Sequence, residues 1–202
     1  MTKIVAIMGS YRRDGIVEQA VDAMLDSAIE AGAEAEKFVL ADESIEFCTN
    51  CRKCTGPELP GMRRADCIFD DRMHDICEAI DDADGIILAA PINFFSVNAL
   101  MKRFIERLLV YVYWPWEKPM PKPRISKLDK KAVVMTSSAC PAFLGRWVLP
   151  NATSVMKGAA KLVGAKVVRK LYFGMVCKEE HQRLSSAQVS KAQKAGRLLA
   201  RN

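Results

Sequence analysis

Apolar residues recur along this chain in two alternating rhythms. Strand-like segments rich in β-branched and apolar residues, at Lys3–Met8, 35–40, 85–90 (itself a continuous apolar run), 131–136 and Ala165–Phe173, are separated by segments in which apolar positions return every three or four residues. Continuous runs suit strands covered on both faces, and the 3.6-residue period suits helices with one buried stripe. Residues 17–31 place Val17, Ala20, Val21, Met24, Leu25 and Ala28 on one side, and Asp70-Asp71 opens a helix whose stripe is Met73, Ile76, Cys77 and Ile80. Residues 97–109 carry Leu100, Met101, Phe104 and Leu108 inward, and 147–163 and 185–200 supply two further helices. Strands alternating with helices require right-handed crossovers, so the expectation is one α/β domain over 1–202, a three-layer sandwich around five parallel strands. Two stretches lack either rhythm: 46–69, which holds cysteines, and the proline- and aromatic-rich connection 111–124.

In an open parallel sheet a ligand lies beyond the carboxyl ends of the strands, where strand order reverses. Three strand ends therefore matter. The first run is followed by Gly9-Ser10-Tyr11-Arg12-Arg13-Asp14-Gly15-Ile16-Val17, a turn with two glycines, a hydroxyl and two arginines that opens a helix. Backbone N–H groups at such a start suit a phosphate. The turn is neither a Walker loop nor a G-x-G-x-x-G fingerprint, and an ordinary strand-to-helix turn remains open from these residues alone. The third run leads into Pro91, Ile92, Asn93, Phe94 and Phe95, apolar and aromatic enough to receive a planar ring. The fourth ends in Ser137, Ser138 and Ala139, whose small side chains let a ligand edge approach the backbone.

Four of the seven cysteines stand close together: Cys48, Cys51 and Cys54 in a C-x2-C-x2-C spacing, then Cys67. Three thiolates at that spacing can face one centre, as in ferredoxin-type sites. Thr55 to Asp66 separate Cys54 from Cys67, a long gap but one that a flexible loop closes at about 0.6 kcal/mol per doubling of length. A [4Fe-4S] cluster, a structural zinc and free thiols all remain open. The formal charge of +6 is spread over many elements, which argues against nucleic acid and leaves a field suited to small anions. No apolar run nears the roughly 20 residues that span a bilayer, and no signal-peptide core follows Met1, so a cytoplasmic protein with reduced thiols is expected. His74 and His181 are the only histidines, and His74 reads as a surface or capping residue. Tyr111, Tyr113, Trp114 and Trp116 either contact a second copy of the chain or cover the domain's own core.

Taken together, these segments resemble the NAD(P)H-dependent FMN reductase-like branch of the flavodoxin-like fold, whose relatives include iron–sulfur flavoproteins. The resemblance rests on Gly9-Ser10-x-Arg12-x-x-Gly15, on the cysteine segment with the Asp-Asp-x-Met73 that follows, and on Asp84-Gly-Ile-Ile-x4-Pro91 with Met101-Lys102-x-Phe-x-Glu-Arg107. It implies a sheet order of 2-1-3-4-5. It further implies FMN, with Ser10, Arg12, Gly15, Ile16 and Val17 at the phosphate, Pro91, Ile92, Asn93, Phe94 and Phe95 at the ring, and Ser137, Ser138 and Ala139 closing the other side. Ile16-Val17 replaces the family's frequent Asn-Thr and Asn93 a frequent tyrosine. The implied activity is hydride uptake from NAD(P)H and electron delivery to a small-molecule or protein acceptor, with no side-chain acid or base. The alternative is an electron carrier with a [4Fe-4S] cluster on Cys48, Cys51, Cys54 and Cys67. A homodimer or higher homo-oligomer is expected.

Overall fold

The computed structural model describes residues 1–56, 59–177 and 179–201. Each apolar run forms a strand and each periodic segment a helix: β1 (Lys3–Met8), α1 (Ile16–Ile29), β2 (Glu34–Val39), α2 (Met73–Asp82), β3 (Gly85–Asn93), β4 (Ser96–Val97) and α3 (Ala99–Arg107). The second half continues through β5 (Val112–Tyr113), β6 (Lys122–Pro123), β7 (Lys130–Ser137), α4 (Ala142–Val148), α5 (Pro150–Leu162), β8 (Ala165–Phe173) and α6 (Ser186–Ala200). The sheet runs β2-β1-β3-β7-β8. Counting the parallel strands alone, this is the 2-1-3-4-5 order of a flavodoxin-like fold. Strand β4 adds a short antiparallel hairpin to the end of β3, and β5 pairs with β6 apart from the main sheet.

Two cores enclose the sheet because its strands alternate. Ile4, Ala6 and Met8 of β1 face α1 and α6, while Val5 and Ile7 join the core under α2, α3 and α5. Burying a side chain of this size contributes about 1.5–3 kcal/mol. Helices α1 and α6 approach to backbone contact at Gly196, where a Cβ would stand 1.9 Å from the Met24 carbonyl oxygen.

Three expectations are revised. The helix over 147–163 is two helices, because Pro150 has no N–H to continue α4 and instead opens α5. The helix over 97–109 starts only at Ala99, since Ser96–Val97 turns back to pair with β3, and it gives way after Arg107 to a 3₁₀ turn. Tyr111 lies wholly in the core, its hydroxyl near the Cys77 carbonyl at 3.3 Å and Asp81 Oδ1 at 3.1 Å, so it belongs to the domain's own packing.

Candidate functional site

The register brings the three strand ends level. Met8 of β1 stands beside Ala89 of β3, and Pro91 beside Ser137 of β7, so the loops that follow leave the sheet at one height. Between them lies a cleft of about 270 Å³ lined by Ser10, Arg12, Gly15, Ile16, Val17, Pro91, Ile92, Asn93, Ser137, Ser138 and Ala139. Tyr11, Asn98, Val176 and Cys177 also line it. A larger cavity of about 570 Å³ sits at the opposite end of the sheet, by the β5–β6 hairpin and ahead of β7, where no parallel-strand carboxyl end converges.

Gly15 stands at the N-cap of helix α1 and no side chain caps it, so the helix's first-turn N–H groups need an acceptor from outside the helix. Ser10 Oγ accepts from the Arg12 backbone N–H at 3.2 Å and still has its own hydrogen to donate. Arg12 reaches the Glu180 carbonyl across the cleft's rim. These groups make one end of the cleft receptive to an anion. The turn is pinned from below: Asn98 is buried, donates to the Gly9 carbonyl at 2.7 Å, and caps α3 by accepting from Met101 N–H at 3.1 Å. Gly9 has room for no side chain, since a Cβ would meet Met101 Cβ at 2.8 Å. On the far side, Ser138 Oγ accepts from Cys140 N–H at 3.1 Å and is bonded to the Tyr172 hydroxyl.

Phe94 and Phe95 do not line the cleft. They form the two-residue turn between β3 and β4 at φ of 47° and 65°, and that left-handed turn carries both rings into solvent, Phe94 at 96% exposure. Asn98 carried the opposite surprise: it followed the aromatic run in the sequence, and its position ahead of an amphipathic helix was the cap signal that identifies it.

The cysteine segment forms a second locus. Burial foremost, then the neighbouring Cys67, Cys48 and Cys51, push the Cys54 thiol up to about 11. The long gap closes because both of its ends dock on one strip of chain. Trp114 N–H donates to the Thr55 carbonyl at 2.8 Å, and Ala65 N–H to the Val110 carbonyl at 2.9 Å. Arg52, between Cys51 and Lys53, is sandwiched by the rings of Trp114 and Trp116 at 4.0 and 4.1 Å, and Arg124 donates to the Cys54 carbonyl at 3.1 Å. Arg107 and Asp71 join the two flanks of the segment: Arg107 Nη1 donates to the Glu46 carbonyl at 2.9 Å, and Asp71 accepts from Glu46 N–H at 2.8 Å. Among the described residues, no group of three or more His, Cys, Asp or Glu side chains is arranged to hold a single metal ion. A single zinc requires four ligands within about 2.0–2.3 Å of one point, whereas a cubane cluster is wider and takes its thiolates further apart. Four thiols are the donor type that such clusters use. Cys77, buried and pushed up to about 12 chiefly by burial, is a packing residue of α2, and His74 is half exposed beside Glu78 at 3.2 Å.

A doubly wound sheet with an anion-receiving turn at its switch point defines a flavodoxin-like nucleotide-binding class. The chain belongs to the NADPH-dependent FMN reductase family, whose pattern matches residues 2–179. It is similar to an iron–sulfur flavoprotein of Archaeoglobus fulgidus, 33% identical over 113 residues that make up 56% of this chain and 48% of that one. It is likewise similar to an iron–sulfur flavoprotein of Methanosarcina thermophila, 32% identical over 52% of this chain and 51% of the other. These matches span about half the length of the curated relatives. In fold it resembles an NAD(P)H:quinone oxidoreductase from Methanothermobacter marburgensis (TM-score 0.71, 20% identity, 99% and 96% of the two chains). It also resembles an FMN-dependent NADH-azoreductase from Bacillus anthracis solved with FMN (TM-score 0.71, 12% identity, 99% and 100%). Among the described residues no helix is long and apolar enough to cross a membrane.

Proposed function

We propose that this protein is an FMN-dependent oxidoreductase that takes reducing equivalents from NAD(P)H in the strand-end cleft. The observation that carries the reading is the uncapped start of α1, opening on a cleft whose other walls come from the ends of β3 and β7. The residues fit FMN: Ser10, Arg12 and the backbone of Gly15, Ile16 and Val17 would hold the phosphate. The loss of the Asn-Thr hydroxyl at Ile16-Val17 is met by the backbone N–H groups of Ile16 and Val17, which do not depend on their side chains. Pro91, Ile92 and Asn93 would lie along one side of the ring and Ser137, Ser138 and Ala139 along the other. FMN in such a site supplies hydride acceptance from NAD(P)H and electron release to a second acceptor. The chain's part is to fix the ring's position, offer backbone donors to its polar edge and keep the phosphate charge compensated. Anaerobic titration with NADPH and NADH tests this: the 450 nm flavin band should bleach, and a bound flavin that neither nucleotide reduces would refute it.

A second reading has its own support. The C-x2-C-x2-C spacing of Cys48, Cys51 and Cys54, with Cys67 after it and iron–sulfur flavoproteins among the similar chains, supports a [4Fe-4S] cluster on those sulfurs, making the protein an electron carrier as well. Iron and acid-labile sulfide near four of each per chain would support it, and their absence after anaerobic reconstitution would remove it. Self-association belongs to the same proposal. Phe94, Phe95, Phe143 and Trp147 are all more than half exposed on segments that follow β3 and β7, beside the cleft, a setting suited to a second copy of this chain. Sedimentation velocity should show at least a dimer that Trp147→Ser weakens.

A further inference from the structure

We propose that Arg107 is a positioning residue of the four-cysteine centre, and that its buried guanidinium raises that centre's reduction potential. The inference rests on the cluster reading above and concerns what this chain adds to it. Arg107 ends α3, and only 2% of its side chain is exposed. Its fork is fixed by Asp71, with Nη1 to Oδ2 at 2.6 Å and Nη2 to Oδ1 at 3.0 Å, and its face lies 5.1 Å from the Phe69 ring centre. Asp71, Glu46 and Phe69 thus hold the guanidinium in one place, on the wall of a cavity of about 340 Å³ that Cys67 also lines. Nε–H is buried without a partner among the described residues. Unpartnered buried donors are uncommon, and one belonging to a cation is more so. A sulfur-rich, negatively charged centre at Cys67 supplies the acceptor that this face lacks.

The consequence follows from charge. One-electron reduction adds a negative charge at the centre while no bond is made or broken, the electron coming from reduced nicotinamide through the proposed flavin, or from dithionite in an assay. A fixed cation and an N–H donor at a ligating sulfur stabilise the more negative state, so the potential rises. Asp71, the carboxylate paired with the guanidinium, carries the opposite charge and works in the opposite direction. Cys67 lies beyond the long Thr55 to Asp66 gap, and Arg107 is the cation joined to both flanks of that segment.

The test is an EPR-monitored redox titration of anaerobically reconstituted protein, with iron content measured first. Arg107→Gln should make reduction at least tenfold less favourable, 59 mV lower for a one-electron couple. Arg107→Lys, which keeps the charge, should shift less, and Asp71→Asn should shift upward. A parent-like potential in an Arg107→Gln protein that carries its full iron overturns the proposal, as does a downward shift in Asp71→Asn. Should Arg107→Gln fail to fold, the other two variants decide: a raised potential in Asp71→Asn supports the proposal, and parent values in both overturn it. A parent that takes up no iron fails the cluster reading and the proposal with it, and the iron assay separates that outcome from the failure of Arg107 alone.

Discussion

Gly9→Ala is the sharpest probe of how the cleft is built. A Cβ at position 9 would stand 2.8 Å from Met101 Cβ and 3.3 Å from Asn98 Oδ1, closer than carbon atoms pack, and Met101 sits on the first turn of α3, where little can move. Overpacking of this kind destabilises by about 1–3 kcal/mol. With a urea dependence of about 2 kcal/mol per molar, the unfolding midpoint should fall by roughly 0.5–1.5 M. Relief of the clash must push the turn away from α3, stretching the Asn98-to-Gly9 bond and displacing Ser10. Loss of one charge-assisted hydrogen bond to a phosphate is worth about 1.5–3 kcal/mol, so FMN affinity should drop about tenfold or more. Gly158→Ala is the matched control. It lies within α5 with nothing inside 4 Å of a Cβ, and should stabilise by about 0.5–1 kcal/mol through helix propensity without touching FMN binding. Urea denaturation and fluorescence titration with FMN on both variants read the two effects. Equal midpoints for the two, or unchanged FMN affinity in a destabilised Gly9→Ala, would refute the account of the turn.

Two further outcomes follow from the same contacts. Asn98→Ala removes the α3 cap and leaves the Gly9 carbonyl without its donor, so a loss of about 1–2 kcal/mol is expected, read by calorimetry as a fall in Tm of roughly 2–8 °C. Burial alone would raise the Asp71 carboxyl, but hydrogen bonds from Arg107, Glu46 N–H and Met73 N–H outweigh it and hold the group below its ordinary value. The folded value thus lies below the unfolded one, so this stabilisation is fully present above about pH 4 and drains away as pH falls through the folded value. Urea midpoints from pH 7 down to pH 3 should therefore fall more steeply in the parent than in Asp71→Asn, and parallel slopes would count against the pair.

The central strands were legible because they are covered on both faces and read as largely apolar runs, and the bounds of β1 and β8 coincide with the segments expected from the sequence. Crossover topology then followed from strand–helix alternation, and the strand-end rule located the cleft. The aromatic pair misled for a physical reason: Phe94 and Phe95 look like ring-stacking residues in a one-dimensional pattern, yet a hairpin turn with two left-handed residues points both away from the sheet. Composition gives no warning of that, since neither residue favours the conformation. The closing of the cysteine segment was likewise invisible, because it depends on backbone bonds from Thr55 and Ala65 to residues near 110–114 and on Arg52 slotting between two tryptophans. Such long-range pairings leave no periodicity in the sequence.

The claim that the cleft holds FMN is tested most directly by one spectrum. Protein purified without oxygen, saturated with FMN and then desalted should retain about one flavin per chain, visible near 450 nm. Protein that emerges colourless at that wavelength after saturation, while still folded by circular dichroism, would contradict it.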